Sequence, residues 1–336
     1  MTTENGPEVA KKMPKLILND GVEMPLLGFG TSKIQGSGER GDKAFEAILH
    51  AIKCGYRFID TAFLYGNEET VGKAIKAAIE DRLIADRKEL FICTKVWCTS
   101  HKRESVVKAC RSSLERLQLD YIDLYLVHWP VAYVEGLDPI NPKDAETGKL
   151  LYSDTSIVET WRGMEDCKDL GLARSIGLSN FNHKQCDEIL AVCKHKPTVN
   201  QVELHPYLSQ VKLHQYSEAK GIILNAYCPL GAPGATWAPR DAPVLIQDPV
   251  IAKLSQKYSK SPAQIILRYH LQRKISPIPK SVTPQRIHEN ISILDFQLTD
   301  GEMETLLGLD RKLRYCTNTA GEHVDDHPLY PFHEEY

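Results

Sequence analysis

The sequence of 336 residues predicts an α/β fold, a (β/α)8 TIM barrel, and three observations carry that prediction. Short apolar runs alternate with segments of helical periodicity along the chain. The runs are apolar throughout rather than alternating with polar residues, as in strands covered on both faces. They are also eight in number, and eight parallel strands close a barrel.

Leu16 to Leu18, the turn Asn19-Asp20-Gly21 and the run from Val22 form a small N-terminal β-hairpin, since Asp-Gly supplies the positive φ of such turns. Leu26 to Phe29 is the first barrel strand, and residues 42–54 place Phe45, Ile48, Leu49 and Ile52 on one helical face. Tyr56 to Ile59 is the second strand, and its helix carries Val71, Ala74, Ile75, Ala78 and Ile79. Strand 90–94 precedes a helix marked by Val107, Cys110, Leu114 and Leu117. Strands at 122–127, 174–178, 198–202, 222–226 and 275–278 complete the set.

No Ser/Gly-rich linker divides the chain, so residues 1–336 read as one domain, with 1–14 flexible. Two long loops, Val131 to Asp154 and Gly231 to Asp248, follow strands and belong at the C-terminal face of the barrel. The polar tail, 311–336, is expected to fold over the same mouth. The 41 basic and 44 acidic residues leave a formal charge of −3, which gives no sign of a nucleic-acid or membrane partner. Nine cysteines lack paired short spacings, so neither a disulfide framework nor a metal site is suggested. No run has the length of a membrane span, and the polar N-terminus lacks an apolar signal core. A reduced, cytoplasmic protein is expected. Asn290-Ile291-Ser292 matches a glycosylation acceptor that carries little weight without a secretory signal.

Gly36-Ser37-Gly38-Glu39-Arg40-Gly41 matches the dinucleotide fingerprint, and Asp60 follows at a suitable distance. That fingerprint needs its first glycine to close the strand directly, whereas Thr31 to Gln35 intervene here. The Rossmann reading is set aside.

Asp60, Lys95 and His128 each stand where an apolar strand stops, and Tyr65 lies in the loop after Asp60. Ionisable residues at strand ends mark the carboxyl edge of a parallel sheet, where barrels build sites. An ordinary tyrosine titrates near pH 10. An ammonium beside Tyr65 is expected to lower that value, with Asp60 keeping Lys95 charged and oriented. Tyr65 then serves as general acid toward a substrate oxygen, and His128 holds a carbonyl oxygen. The set lacks a redox centre, so a hydride from a nicotinamide cofactor is implied. Singly, Asp60 could be a cap, Lys95 its ion-pair partner, Tyr65 a loop aromatic and His128 a core histidine. Their shared placement favours function.

Pro279 to Arg286 follows the last strand and sets Lys280 and Arg286 around hydroxyls at a helix start, with Pro284 suited to the first turn. Basic side chains at a helix N-terminus suit a phosphate. Two cations favour the extra phosphate of NADP over NAD. The bland reading is a solvated, capped helix.

The chain resembles the aldo-keto reductases, especially their aldose/aldehyde reductase branch. The resemblance runs almost end to end. It rests on Leu27-Gly28-Phe29-Gly30-Thr31, Phe58-Ile59-Asp60-Thr61-Ala62 through Tyr65, Thr94-Lys95-Val96-Trp97, and Asp123 to Pro130. Further matches are Gly177-Leu178-Ser179-Asn180-Phe181, Asn200-Gln201-Val202-Glu203 with His205-Pro206-Tyr207, and Ile278-Pro279-Lys280-Ser281. The resemblance implies a catalytic tetrad of Asp60, Tyr65, Lys95 and His128, with Tyr65 as proton donor. It implies NADPH/NADP+ as cofactor, a small-molecule carbonyl substrate and a monomer. Ser179, Asn180 and Gln201 fall where the family binds the carboxamide, and Tyr227 where it stacks on the nicotinamide. Thr31, Lys33, Asp60, Cys228 and Leu230 fall in the cofactor groove, Leu230 in the pyrophosphate loop. Lys280, Ser281, Val282, Thr283, Arg286, Glu289 and Asn290 fall at the adenosine end and its 2′-phosphate. Trp97, Trp129 and Trp237, with His128, match the substrate pocket.

Ser32 stands where that branch has a pocket tryptophan, so a wider pocket is expected. Gly234 stands where it has an aspartate that pairs with a lysine across the cofactor, although Lys33 remains, so a looser strap and faster cofactor release are expected. Cys228 replaces the usual serine, with no evident meaning at this level. Cys316 to Tyr330 departs most, in the segment that shapes substrate choice in the family.

The leading reading is an NADPH-dependent reductase of aldehydes and ketones. The alternatives are a non-catalytic cofactor sensor or structural protein on the same fold, and a sugar-phosphate barrel enzyme. The intact tetrad argues against the first, and the Tyr65–Lys95 pair against the second.

Overall fold

The structure, a computed structural model, describes residues 6–35, 38–234, 238, 241–317 and 322–336. Helix α1 (Gly6–Lys12) leads into the hairpin of β1 (Lys15–Ile17) and β2 (Glu23–Pro25), which turns at Gly21 with φ +85°. The expectation of a flexible lead-in misses α1, which has few apolar residues to announce it. The helix is fixed by contact instead: Val9 and Gly6 are buried, and Gly6 lies too close to the Lys53 carbonyl to carry a Cβ.

Strand and helix then alternate. The order is β3 (Phe29–Gly30), α2 (Lys43–Cys54), β4 (Phe58–Asp60), α3 (Glu68–Glu80), β5 (Phe91–Val96), α4 (Arg103–Leu117), β6 (Ile122–Val127) and α5 (Ile157–Asp169). It continues with β7 (Ala173–Ser179), α6 (His183–Leu190), β8 (Val199–Glu203), α7 (Val211–Lys220), β9 (Ile223–Tyr227), α8 (Pro249–Tyr258), α9 (Pro262–Gln272), β10 (Ser276–Pro277), α10 (Pro284–Ile291) and α11 (Asp300–Leu307). Local chemistry fixes these ends. Asp42 caps α2, Gly55 closes it at φ +104°, and capping boxes start α6, α9 and α11.

β3 to β10 form one eight-stranded parallel sheet in sequential order. Gly28 N donates to Pro277 O and Gly30 N to Pro279 O, each at 3.0 Å, and these bonds join the last strand to the first. The result is the expected (β/α)8 barrel. The fingerprint-like glycines belong to no Rossmann turn: α2 starts at Lys43, well past Gly30, and Gly36 and Ser37 lie outside the described residues.

Side chains alternate in and out along a strand. Phe58, Phe91, Cys93, Leu124, Leu126 and Val199 cluster inside the barrel with Leu18 and Met24 of the hairpin, which plug its lower end. Outward residues such as Ile59, Ile92, Tyr125 and Ile176 pack under the helices in the main core. The helices approach closely where glycine allows. A Cβ on Gly72 of α3 would stand 2.3 Å from the Leu117 carbonyl oxygen of α4. Among the described residues, no helix is long and apolar enough to cross a membrane.

Candidate active site

The inward parity of the strands, carried two residues upward, ends on polar groups. Asp60 follows Phe58, Lys95 follows Cys93, His128 follows Leu126, and Gln201 follows Val199. The C-terminal mouth therefore gathers a polar set above an apolar floor. Lys95 Nζ is fully buried and donates to both oxygens of Asp60, at 2.8 and 2.9 Å, and to the Thr61 carbonyl at 2.8 Å. The same ammonium lies 5.1 Å from the centre of the Tyr65 ring. Tyr65 closes the short 3-10 turn Phe63–Tyr65, which Gly66 ends at φ +64°. The His128 ring meets Tyr65 edge-on at 5.8 Å and Trp97 at 5.2 Å.

Electrostatics follow from burial and charge. Burial alone would lower the Lys95 pKa, but Asp60 and then Tyr65 hold it above the usual lysine value. Tyr65 differs from the sequence expectation. Removal from water pushes it up to about 12, Asp60 adds to the rise, and the lowering by Lys95 does not overcome them. Tyr65 thus keeps its proton at neutral pH. Burial, with Lys95 and His101 nearby, holds His128 well below the usual histidine range, so its imidazole is neutral. His128 Nδ1 is buried without a hydrogen-bond partner.

Further polar residues extend this set. Gln201 Nε2 donates to Asp60 Oδ2 at 2.8 Å and to Asn225 Oδ1 at 2.5 Å, and Asn225 Nδ2 donates to Ser276 O at 2.7 Å. Asn180, buried at φ +62°, donates to the His128 carbonyl at 3.0 Å and to Ser179 Oγ at 3.2 Å, and accepts from Tyr227 OH at 2.8 Å. Thr31 Oγ1 donates to the Asp60 carbonyl at 2.9 Å. Asn225 was missed in the sequence; its signal is a lone amide inside the apolar run 222–226.

A basic edge lies where β3 and β10 end. Lys33 and Lys280 are exposed and close enough that Lys280 depresses the Lys33 pKa, after a larger effect of burial. Thr283 is the N-cap of α10 without a side-chain cap bond, and Ser281 Oγ accepts from Thr283 N at 3.1 Å. Val282 and Arg286 are exposed, Asn290 is buried, and Glu289 accepts from Gln285 at 2.8 Å. Leu230 packs at the margin of two apolar clusters, and Cys228, at φ +46°, has its Sγ 3.6 Å from Cys316 Sγ. The donor set fits an anionic dinucleotide: gathered ammonium groups, uncapped helix N–H groups, buried amides and a half-buried tyrosine ring.

The long loop after β6 and the tail supply an aromatic wall. Trp97, Trp129, Tyr133, Val324 and Tyr330 form one buried cluster, and Phe332 meets Trp129 at 5.6 Å. Trp97 Nε1 donates to the Ile140 carbonyl at 2.8 Å, holding that loop on β5. Trp237 lies outside the described residues. The tail is anchored by Glu203, a residue given no role in the sequence reading, which accepts from Tyr315 N at 2.7 Å and Cys316 N at 2.8 Å. Asn182 and Gln185 bond the carbonyls of Pro331 and Leu329.

Comparison with known proteins gives concordant matches. The profile of the Aldo/keto reductase family matches residues 26–311. "Aldo-keto reductase family 1 member C1" of Macaca fuscata fuscata is 47% identical over 324 residues, 95% of this chain and 97% of that protein. "Aldo-keto reductase family 1 member A1" of Bos taurus is 43% identical over 327 residues, covering 96% and 98%. "Estradiol 17 beta-dehydrogenase 5" of Mus musculus is 44% identical over 328 residues, covering 97% and 99%.

Proposed function

The chain belongs to the aldo/keto reductase family, and from that premise we propose that this oxidoreductase reduces aldehydes or ketones with NADPH, using Tyr65 as general acid. One observation carries the reading: the Lys95 ammonium, clamped by both oxygens of Asp60, faces the Tyr65 ring at 5.1 Å.

NADPH supplies a hydride to the carbonyl carbon when bound. Ser179, Asn180, Gln201 and Tyr227 would hold its nicotinamide end. Lys33, Lys280, Ser281 and Arg286, with the start of α10, would hold its phosphates. A carbonyl oxygen near Tyr65 OH receives the phenol proton as negative charge develops on it. Lys95 stabilises the phenolate left behind, and Asp60 keeps Lys95 charged and in place. Neutral His128 retains one ring N–H to orient the same oxygen. The wall of Trp97, Trp129 and Tyr330 excludes water and favours substrates with an apolar part. With Gly234 where the branch has its pairing aspartate, the strap over the cofactor is looser and release faster; slow, strap-limited release in transient kinetics would refute this.

The test is loss of NADPH absorbance over a panel of aldehydes and ketones, comparing the natural chain with Tyr65→Phe. Turnover that vanishes in Tyr65→Phe while NADPH still binds supports the reading. Binding without turnover by the natural chain moves the role to a cofactor sensor. No binding removes the assignment of Lys280 and Arg286.

A further inference from the structure

Two thiols meet beside the proposed nicotinamide site. Cys228 directly follows Tyr227, and its Sγ lies 3.6 Å from Cys316 Sγ in the tail. Both cysteines are partly exposed. Neither is free to drift. Cys228 is the first residue beyond β9, held at φ +46°, and Gly231 N bonds back to its carbonyl at 2.9 Å. Cys316 is fixed through its own N–H on the buried carboxylate of Glu203 at 2.8 Å. Lys33 is electrostatically coupled to both sulfurs, so an ammonium faces whichever thiol ionises.

The contrast with the other cysteines is informative. Cys110 of α4 and Cys167 of α5 are also hydrogen-bonded to one another, yet both are fully buried and out of reach of an oxidant. Cys228 and Cys316 combine contact with access.

We propose that Cys228 and Cys316 are an oxidisable pair whose disulfide bolts the tail to the root of the loop after β9 and gates cofactor exchange. The gating part rests on the NADPH reading above; formation of the bond does not. With a small-molecule disulfide such as oxidised glutathione as oxidant, Cys316 attacks as thiolate, forms a mixed disulfide and releases one glutathione thiolate. Cys228 then gives up its proton and displaces the second glutathione. Two protein thiols become one disulfide, one oxidised glutathione becomes two thiols, and the protons pass to the released thiolates. Cys228 suits the later, resolving step, because its hydrogen bond to Cys316 holds its thiol protonated until Cys316 has reacted. The two sulfurs, 3.6 Å apart, close to about 2.05 Å when the bond forms. The bond would tie together Tyr227, the turn at Gly231 and Tyr315, whose hydroxyl already reaches the Pro243 carbonyl at 2.6 Å.

The test treats the full chain with oxidised glutathione, then applies intact mass spectrometry and non-reducing peptide mapping. The expected product has lost the mass of two hydrogen atoms, maps to a Cys228–Cys316 link and reverts with dithiothreitol, and Cys316→Ser does not form it. A stable glutathione adduct on Cys316, a link elsewhere or no product overturns the proposal. Stopped-flow NADPH fluorescence on reduced and oxidised protein reads the gate. Exchange several-fold slower after oxidation, unaffected by oxidation in Cys316→Ser, supports it; equal rates with the link formed overturn the gating. Reduced protein that binds no NADPH would defeat the function proposed above and the gate with it, while the mapped link would still stand.

Discussion

The side-chain amide of Gln201 donates to Asp60 Oδ2 at 2.8 Å, the oxygen that Lys95 also holds at 2.9 Å. A fully buried carboxylate is therefore satisfied from two strands at once, with β4, β5 and β8 locked together inside the barrel.

Removing one donor from that carboxylate exposes the others' worth. Lys95→Met leaves Asp60 buried without its counter-charge and should cost about 3–5 kcal/mol of stability. Gln201→Leu removes one hydrogen bond and should cost about 1–3 kcal/mol. Urea unfolding of the three proteins checks the order. Equal costs would mean that Asp60 takes up a proton in Lys95→Met.

A Cβ at Gly72 would stand 2.3 Å from the Leu117 carbonyl oxygen and 2.7 Å from its carbon. Both are backbone atoms of a packed helix, so α3 must move away from α4. Gly72→Ala should cost about 1–3 kcal/mol despite its gain in helix propensity. Gly301, in α11, has nothing within 4 Å of such a Cβ. Gly301→Ala is the matched control, and thermal melts should show it neutral or stabilising.

Stability should fall at both ends of the pH scale. Burial pushes Tyr65 and Tyr315 up to about 12. These raised values stabilise the fold below the unfolded tyrosine pKa near 10, and the contribution is lost as pH rises from there toward 12. Burial lowers His101 and His270 to about 3. Their contribution is complete above the unfolded value near 6.5 and is lost as pH falls from there toward 3. Denaturant midpoints measured from pH 4 to 11 should form a plateau near neutrality. His101→Phe, which removes two unpartnered ring nitrogens, should soften the acid limb. An unchanged limb would show that His101 is already charged in the fold.

Glu203, itself buried, holds the tail by two backbone amides and pairs with buried His205 Nε2 at 2.9 Å. Glu203→Ala should free the chain beyond Arg311 while leaving the barrel folded. Limited proteolysis would then cut near Cys316 far faster than in the natural chain. Unchanged cleavage would assign the docking to Asn182, Gln185 and the aromatic wall instead.

Much of this was legible because strands obey a period of two. Phe58-x-Asp60, Phe91-x-Cys93-x-Lys95 and Leu124-x-Leu126-x-His128 state both the barrel floor and the polar mouth in one pattern. The ends of elements were less legible. The first strand was expected over Leu26 to Phe29 and is Phe29–Gly30, because its ladder is fixed by neighbours distant in sequence. Helix α1 was missed because it is held by packing on Lys53 and Cys54 rather than by periodicity. The Tyr65 pKa went the other way because a neighbour's charge can be read from sequence, whereas the depth of desolvation cannot. Cys228 and Cys316 stand 88 positions apart, and only the fold makes them a pair.

The seam of the barrel is held in one direction only. Pro277 and Pro279 accept from Gly28 and Gly30, but a proline has no N–H to return. In a parallel ladder a residue's N–H and C=O face the same neighbour, so the last strand gives nothing back to the first at these positions. The lips of this weak seam run directly toward Lys33 and into Lys280–Ser281, groups proposed to grip the phosphates. A dinucleotide seated there would act as a rivet across the thinnest join of the ring. NADP+ should therefore slow hydrogen exchange at the Gly28 and Gly30 amides more than anywhere between β6 and β7, and the empty protein should begin to open along this line.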